Sequence, residues 1–138
     1  MRVMVFGTFD LLHPGHLSLL RAAEAQGELT VVVARTSTVH KIKGRDPLQS
    51  ECKRVKNIEE LFPLATVVLG DKVDFLAPVR AHRPELILLG YDQRLPPGIR
   101  KEDLPCRIKR APALSPEKYK SSVLAKAHRK MVDRKPEK

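Results

Sequence analysis

Residues 29–34 read Leu-Thr-Val-Val-Val-Ala, a β-branched run with no polar face. A strand apolar on both sides must be covered on both sides, as in a parallel sheet flanked by helices. The rest of the chain supplies the flanking pieces. Arg2–Phe6 is a short β-rich run that ends at Gly7, and Leu17–Ala25 carries apolar residues at helical spacing until Gly27 stops it. Ser50–Leu61 reads as a helix with Ser50 as its cap, broken by Pro63. Thr66–Leu69 is a third strand, Asp74–His82 a short helix capped by Asp74, and Glu85–Leu89 a fourth strand closed by Gly90. Arg94–Leu104, with Pro96, Pro97 and Gly98, reads as a loop, Arg107–Lys109 as a last short strand and Ser115–Met131 as a C-terminal helix. This alternation predicts an α/β fold built of βαβ units with right-handed crossovers.

In such sheets ligands sit beyond the carboxyl ends of the strands. The chemically distinctive residues fall there: Gly7–His16 follows the first strand, Arg35–Arg45 the second and Gly90–Gln93 the fourth. Length and charge agree with one small domain acting on an anion. The 138 residues are enough for one core, and 26 Lys+Arg against 16 Asp+Glu give a formal charge of +10. Much of the basic excess lies in Lys41–Arg45 and Lys118–Lys138, without the repeated aromatics of a single-strand stacking platform, so nucleic acid is not the expected partner. No apolar run approaches membrane-spanning length and no signal core is visible, which predicts a cytoplasmic protein that does not enter membranes. Cys52 and Cys106 have no metal-ligand spacing and read as free thiols; Arg107, Lys109 and Arg110 near Cys106 would favour its thiolate.

The string Gly7-Thr-Phe-Asp-Leu-Leu-His-Pro-Gly-His16 carries the strongest chemical signal. It is neither a Walker loop nor a dinucleotide fingerprint. Gly7 is expected to turn the chain sharply at the strand end. Gly15 lets backbone approach a bulky anion at a helix N-terminus, where free N–H groups meet phosphate. His13 and His16, three apart, can both donate to an α-phosphate gaining charge under attack. A histidine pair alone supplies too few ligands for a structural zinc site, so no protein-held metal is expected. Lys41 and Lys43, two apart on an extended chain, would point the same way and clamp phosphate. Asp92 and Gln93, after the fourth strand, offer a carboxylate and an amide to a base or ribose.

The ten-residue string resembles the GTFDxxHxGH signature of the cytidylyltransferase-like nucleotidyltransferases, and the similarity of layout covers nearly the whole chain. The resemblance implies a Rossmann-like, doubly wound parallel sheet in a single nucleotidyltransferase domain over 1–132, with 133–138 a flexible basic tail. It implies catalytic roles for His13, His16 and Lys41, with Asp10 close to the reacting groups. Nucleotide binding would involve Gly7, the backbone of Thr8 and Phe9, Gly15, Lys43, Arg54, Gly90, Asp92 and Gln93. The Tyr119-Lys-Ser-Ser122 stretch matches a Ser/Thr pair that meets the triphosphate at a helix start, through Tyr119, Ser121 and Ser122. A divalent cation, usually Mg²⁺, would be bound mainly through the nucleotide phosphates.

Gly90-Tyr-Asp-Gln93 and Lys120-Ser-Ser122 look like the archaeal-type FAD synthases, which implies transfer of AMP from ATP to FMN with release of pyrophosphate. The alternatives are a CTP-dependent cytidylyltransferase acting on glycerol 3-phosphate or another phospho-alcohol, and a nucleotide-binding module without catalysis. Small relatives are often dimers, so a homodimer is expected.

Overall fold

The computed structural model describes residues 1–91, 93–95 and 99–111. The expected C-terminal helix, the tail 133–138, and Asp92, Tyr119, Ser121 and Ser122 lie outside the described residues. Five strands form one sheet in the order β3-β2-β1-β4-β5, every neighbouring pair parallel. They are β1 (Arg2–Gly7), β2 (Glu28–Val33), β3 (Thr66–Leu69), β4 (Leu86–Leu89) and β5 (Arg107–Arg110). The helices are α1 (Pro14–Gln26), α2 (Thr36–Lys43), α3 (Glu51–Leu61) and α4 (Ala77–His82).

The central strands are apolar at every position that must be covered. Alternate residues of β1 feed two separate cores. Val3 and Val5 join Val31, Val33 and Leu88 beneath Leu19, Leu20 and Ala23 of α1 and Ile58 of α3. Met4 and Phe6 join Val32, Ile87 and Leu89 on the opposite face, against Val79 of α4 and Leu104. The sheet is therefore doubly wound. Its second face is thinly covered, because α4 has only six residues.

The strand order reverses at β1, with β2 on one side and β4 on the other. β1 pairs with β2 along its full length, through Gly7↔Val33, whereas its ladder with β4 holds only Val3↔Leu86 and Met4↔Ile87. Past Met4 the two strands splay. The opening is bridged by one side chain: Gln93 Nε2 donates to Phe6 O at 2.9 Å, and Gln93 Oε1 accepts from Gly90 N at 3.0 Å.

Four expectations need correction. The first helix begins at Pro14 rather than Leu17, because His13 caps it. Asp74 does not cap α4 directly: its Oδ1 accepts Leu76 N in the preceding turn, while Leu76 is the cap position. The loop 94–104 contains a 3₁₀ turn at Lys101–Asp103. Residues 41–43, read as extended, are the last turn of α2, closed by Gly44 in the left-handed region (φ 74°).

Candidate active site

A cleft of about 980 Å³ opens at the carboxyl ends of the strands, within the range of small-molecule sites. Of the described residues expected from sequence to act there, all but Lys41 and Arg54 line it. Its centre is the start of α1, where the two histidines build the helix cap between them. His13 Nδ1 accepts from Gly15 N at 3.0 Å and His16 N at 3.4 Å, and His16 Nδ1 accepts in return from His13 N at 3.4 Å. This is a capping box with imidazoles in place of the usual hydroxyl and carboxylate. A nitrogen that accepts carries no proton, so each neutral ring holds its proton on Nε2.

The rings stack with centroids 3.7 Å apart and planes 21° from parallel. Burial, with the neighbouring His13 and Lys43 adding to it, lowers the His16 pKa from 6.5 to about 4. His16 is therefore neutral at neutral pH, as the cap requires. Phe9 supports it from below, edge-on, with centroids 5.4 Å apart.

That ring explains Gly7. It is the last residue of β1 and not a sharp turn, which corrects the reading from sequence. A Cβ there would lie 2.8 Å from Phe9 Cε2 and Cζ. Phe9 and Leu11 are both in the left-handed region, at φ 53° and 58°, a conformation that costs a non-glycine residue about 1–2 kcal/mol. Asp10, between them, holds the bend. Its two carboxylate oxygens accept from Leu48 N at 2.7 Å and Gln49 N at 2.9 Å, and Leu11 N donates to Gln49 Oε1. Asp10 lines the cleft, but its carboxylate is occupied in joining the loop 46–50 to the histidine loop.

Arg54 is fully buried and aims its guanidinium at the protein itself. It donates to Thr8 O (3.0 Å), Ala34 O (2.6 Å), Gln49 O (3.2 Å) and Thr36 Oγ1 (3.3 Å). Burial lowers its pKa, opposed by Asp10 and Glu51. One side chain thus ties the carboxyl ends of β1 and β2 to α2 and α3. Lys43 reaches the cleft, its Nζ 3.4 Å from Thr8 Oγ1. Lys41, exposed and two residues away on a helix, is turned to the other side. The shared orientation expected of the two lysines fails for that reason.

Gln93 spends both ends of its amide on Phe6 and Gly90, and its carbonyl accepts from Arg110. Arg110 Nη1 also lies within hydrogen-bond reach of Gly90 O and Tyr91 O. Sequence reading missed Arg110, and no local pattern could have found it, because its partners are backbone carbonyls 17–20 residues away. Arg35, first in the segment expected beyond the second strand but given no role of its own there, lines the cleft and donates from Nε to Gly70 O at 2.6 Å. The rule that functional residues follow strands marks that position, directly beyond β2. Cys106 is corrected as well: burial raises its pKa, so the basic neighbours do not make it a thiolate.

The cytidylyltransferase-like family model matches residues 4–132. The chain belongs to the cytidylyltransferase-like family. Within that nucleotidyltransferase family, it is 49% identical over 94 residues to the FAD synthase of Aciduliprofundum boonei, a match that covers 67% of this chain and 62% of that protein. It is 39% identical over 139 residues to the FAD synthase of Archaeoglobus profundus, covering 96% of this chain and 86% of the relative. Among solved structures, the lipopolysaccharide core biosynthesis protein from Thermoplasma volcanium superimposes with a TM-score of 0.72 at 36% identity, over 83% of this chain and 98% of that one. The doubly wound parallel sheet expected from the family is the one observed. No helix among the described residues is long and apolar enough to cross a membrane.

Proposed function

We infer that this cytidylyltransferase-like protein is a FAD synthase, joining AMP from ATP to FMN. A phosphate oxygen of FMN attacks the α-phosphorus of ATP, the bond to the bridging oxygen of the β-phosphate breaks, and pyrophosphate leaves. The observation that carries the reaction class is the stacked histidine pair at the start of α1, each ring carrying its proton on Nε2. Two such donors, fixed by the backbone before substrate arrives, stabilise charge on the α-phosphate oxygens without reorganisation at the moment of reaction. The relatives named FAD synthase support ATP and FMN as the substrate pair.

Lys43 and Arg35, both lining the cleft, supply positive charge to the phosphate chain. Gly15 keeps backbone close to it. On sequence grounds Asp92, Tyr119, Ser121 and Ser122 complete the nucleotide site. Arg54 and Asp10 act in this reading as positioning residues, since their polar atoms hold the loops that carry the histidines. Among the described residues no group of three or more His, Cys, Asp or Glu could hold a metal ion. The described residues, with no such cluster, fit a divalent cation carried in on the nucleotide phosphates rather than one lodged in a protein cage. Such a cation would neutralise the triphosphate when bound. A homodimer working in the cytoplasm, where ATP and FMN are found, belongs to the same reading, and light scattering of the purified protein checks the assembly.

The test is pyrophosphate release with Mg²⁺ from ATP or CTP, each paired with FMN or glycerol 3-phosphate. Turnover with ATP and FMN alone, with FAD identified chromatographically, is the expected result. Turnover with CTP alone would move the chain to the cytidylyltransferases and overturn the FMN assignment.

A further inference from the structure

We propose that Phe75, backed by Phe6, is the seat of the acceptor's isoalloxazine ring; this rests on the FAD synthase reading. The cleft has two unlike flanks. Towards β4 it is bordered by Ser18, Gly90 and Tyr91, two of which carry hydroxyl groups. On the thinly covered second face of the sheet it is bordered by the apolar side chains of Phe6, Val32, Phe75, Pro78 and Leu95, with Asp71 and Arg94 lining the cleft beside them; the Asp71 carboxylate accepts from Val73 N and Asp74 N.

Phe75 stands just before the six-residue helix α4, too early in the chain for that helix to cover it, and it is half-buried at the cleft wall. Phe6, buried beneath it at 7% exposure, fixes its ring: the centroids are 4.6 Å apart and the planes tilted by 31°. The pair makes a rigid aromatic surface one residue from Gly7, at the end of the strand that leads into the histidine loop.

Of the two substrates, adenine carries ring nitrogens or an amino group on most of its edge and would leave them unpaired against this wall. The benzenoid third of the flavin carries only methyl groups and ring carbons. An aromatic slab set among apolar side chains suits that part best. The FMN phosphate then lies at the histidine pair, its ribityl chain passes Arg35, and the ring ends on Phe75. Adenine is left to the β4 flank.

The experiment measures separate KM values for FMN and ATP in wild type, Phe75→Leu and Phe75→Trp, with FAD as the product followed. Leucine keeps an apolar side chain of similar bulk and loses the ring. It should raise KM for FMN about tenfold and leave KM for ATP within about twofold. The chain has no Trp, so Phe75→Trp introduces a lone indole. Its emission should be quenched by FMN at concentrations near KM and left unchanged by ATP alone. An unchanged KM for FMN in Phe75→Leu, or quenching by ATP but not FMN, overturns the ring seat while wild-type FAD formation leaves the FAD synthase reading standing. Absence of FAD from the wild type with ATP and FMN overturns both.

Discussion

Replacing Arg54 separates a residue that holds the site together from one that binds the ligand. Its guanidinium donates to three backbone carbonyls and one hydroxyl, and none of its surface reaches solvent. Arg54→Met keeps the apolar stem and deletes every donor. Hydrogen bonds from a charged donor contribute about 1.5–3 kcal/mol each, so the three carbonyls alone represent roughly 4.5–9 kcal/mol before any offset. The offset is substantial, because removing a buried cation recovers several kcal/mol of desolvation. The net loss should be about 3–5 kcal/mol. For a chain of this length that lowers Tm by roughly 10–15 °C. Arg54→Lys keeps the charge but cannot span Gln49, Thr8 and Ala34 from one ammonium, and should lose about 2–3 kcal/mol. The assay is thermal and urea unfolding alongside nucleotide binding by calorimetry. An Arg54→Lys protein with Tm unchanged to within about 2 °C and ATP affinity down about tenfold would refute the reasoning and make Arg54 a ligand contact.

Gly7→Ala forces a methyl group to 2.8 Å from a buried ring and should cost about 1–3 kcal/mol by thermal unfolding, with FAD formation falling further because the displaced ring supports His16. His16 titrates near 4 when folded against 6.5 unfolded, so between these values the unfolded chain binds the extra proton and stability rises with pH. The contribution is complete above about pH 6.5 and is lost as pH falls toward 4; His16→Asn should flatten that part of a stability–pH curve measured by urea midpoints. Gln93→Leu leaves Phe6 O and Gly90 N without their bridge and should cost about 1–3 kcal/mol, with KM raised for both substrates as the splayed strands close. With a thiol reagent at pH 7.5 Cys52, exposed, should react well before Cys106, whose burial keeps it protonated.

The elements were legible where the pattern was strong. The β-branched run of β2, the Ser50 cap of α3 and the breaks at Gly27 and Pro63 all appear close to where their chemistry puts them. The histidine string could be located, yet the manner of its working could not be read, because a helix capped reciprocally by imidazoles leaves no mark beyond the three-residue spacing. Lys41 and Lys43 were misjudged because a basic segment with one β-branched residue reads equally as loop or helix, and the two conformations orient its side chains differently. Phe75 gave no signal. Its position at the cleft follows from the shortness of α4, a tertiary fact that no window of sequence contains. Arg54 showed its importance but not its target, since a buried arginine bonded to carbonyls and one bonded to phosphate look alike in sequence.

The reciprocal cap also limits which nucleophiles the centre can use. With Nδ1 of each histidine accepting backbone protons and Nε2 already protonated, neither neutral ring has a lone pair with which to deprotonate an incoming group. The Asp10 carboxylate already accepts from Leu48 N and Gln49 N, one on each oxygen. In the proposed reaction the two histidines give hydrogen bonds to substrate and take no proton from it. An alcohol, which must shed its proton to attack, finds no base among them. A phosphate monoester, with a second pKa near 6, arrives at neutral pH already ionised. In the proposed reaction, the same hydrogen bonds that begin a helix therefore favour acceptors that carry their own negative charge.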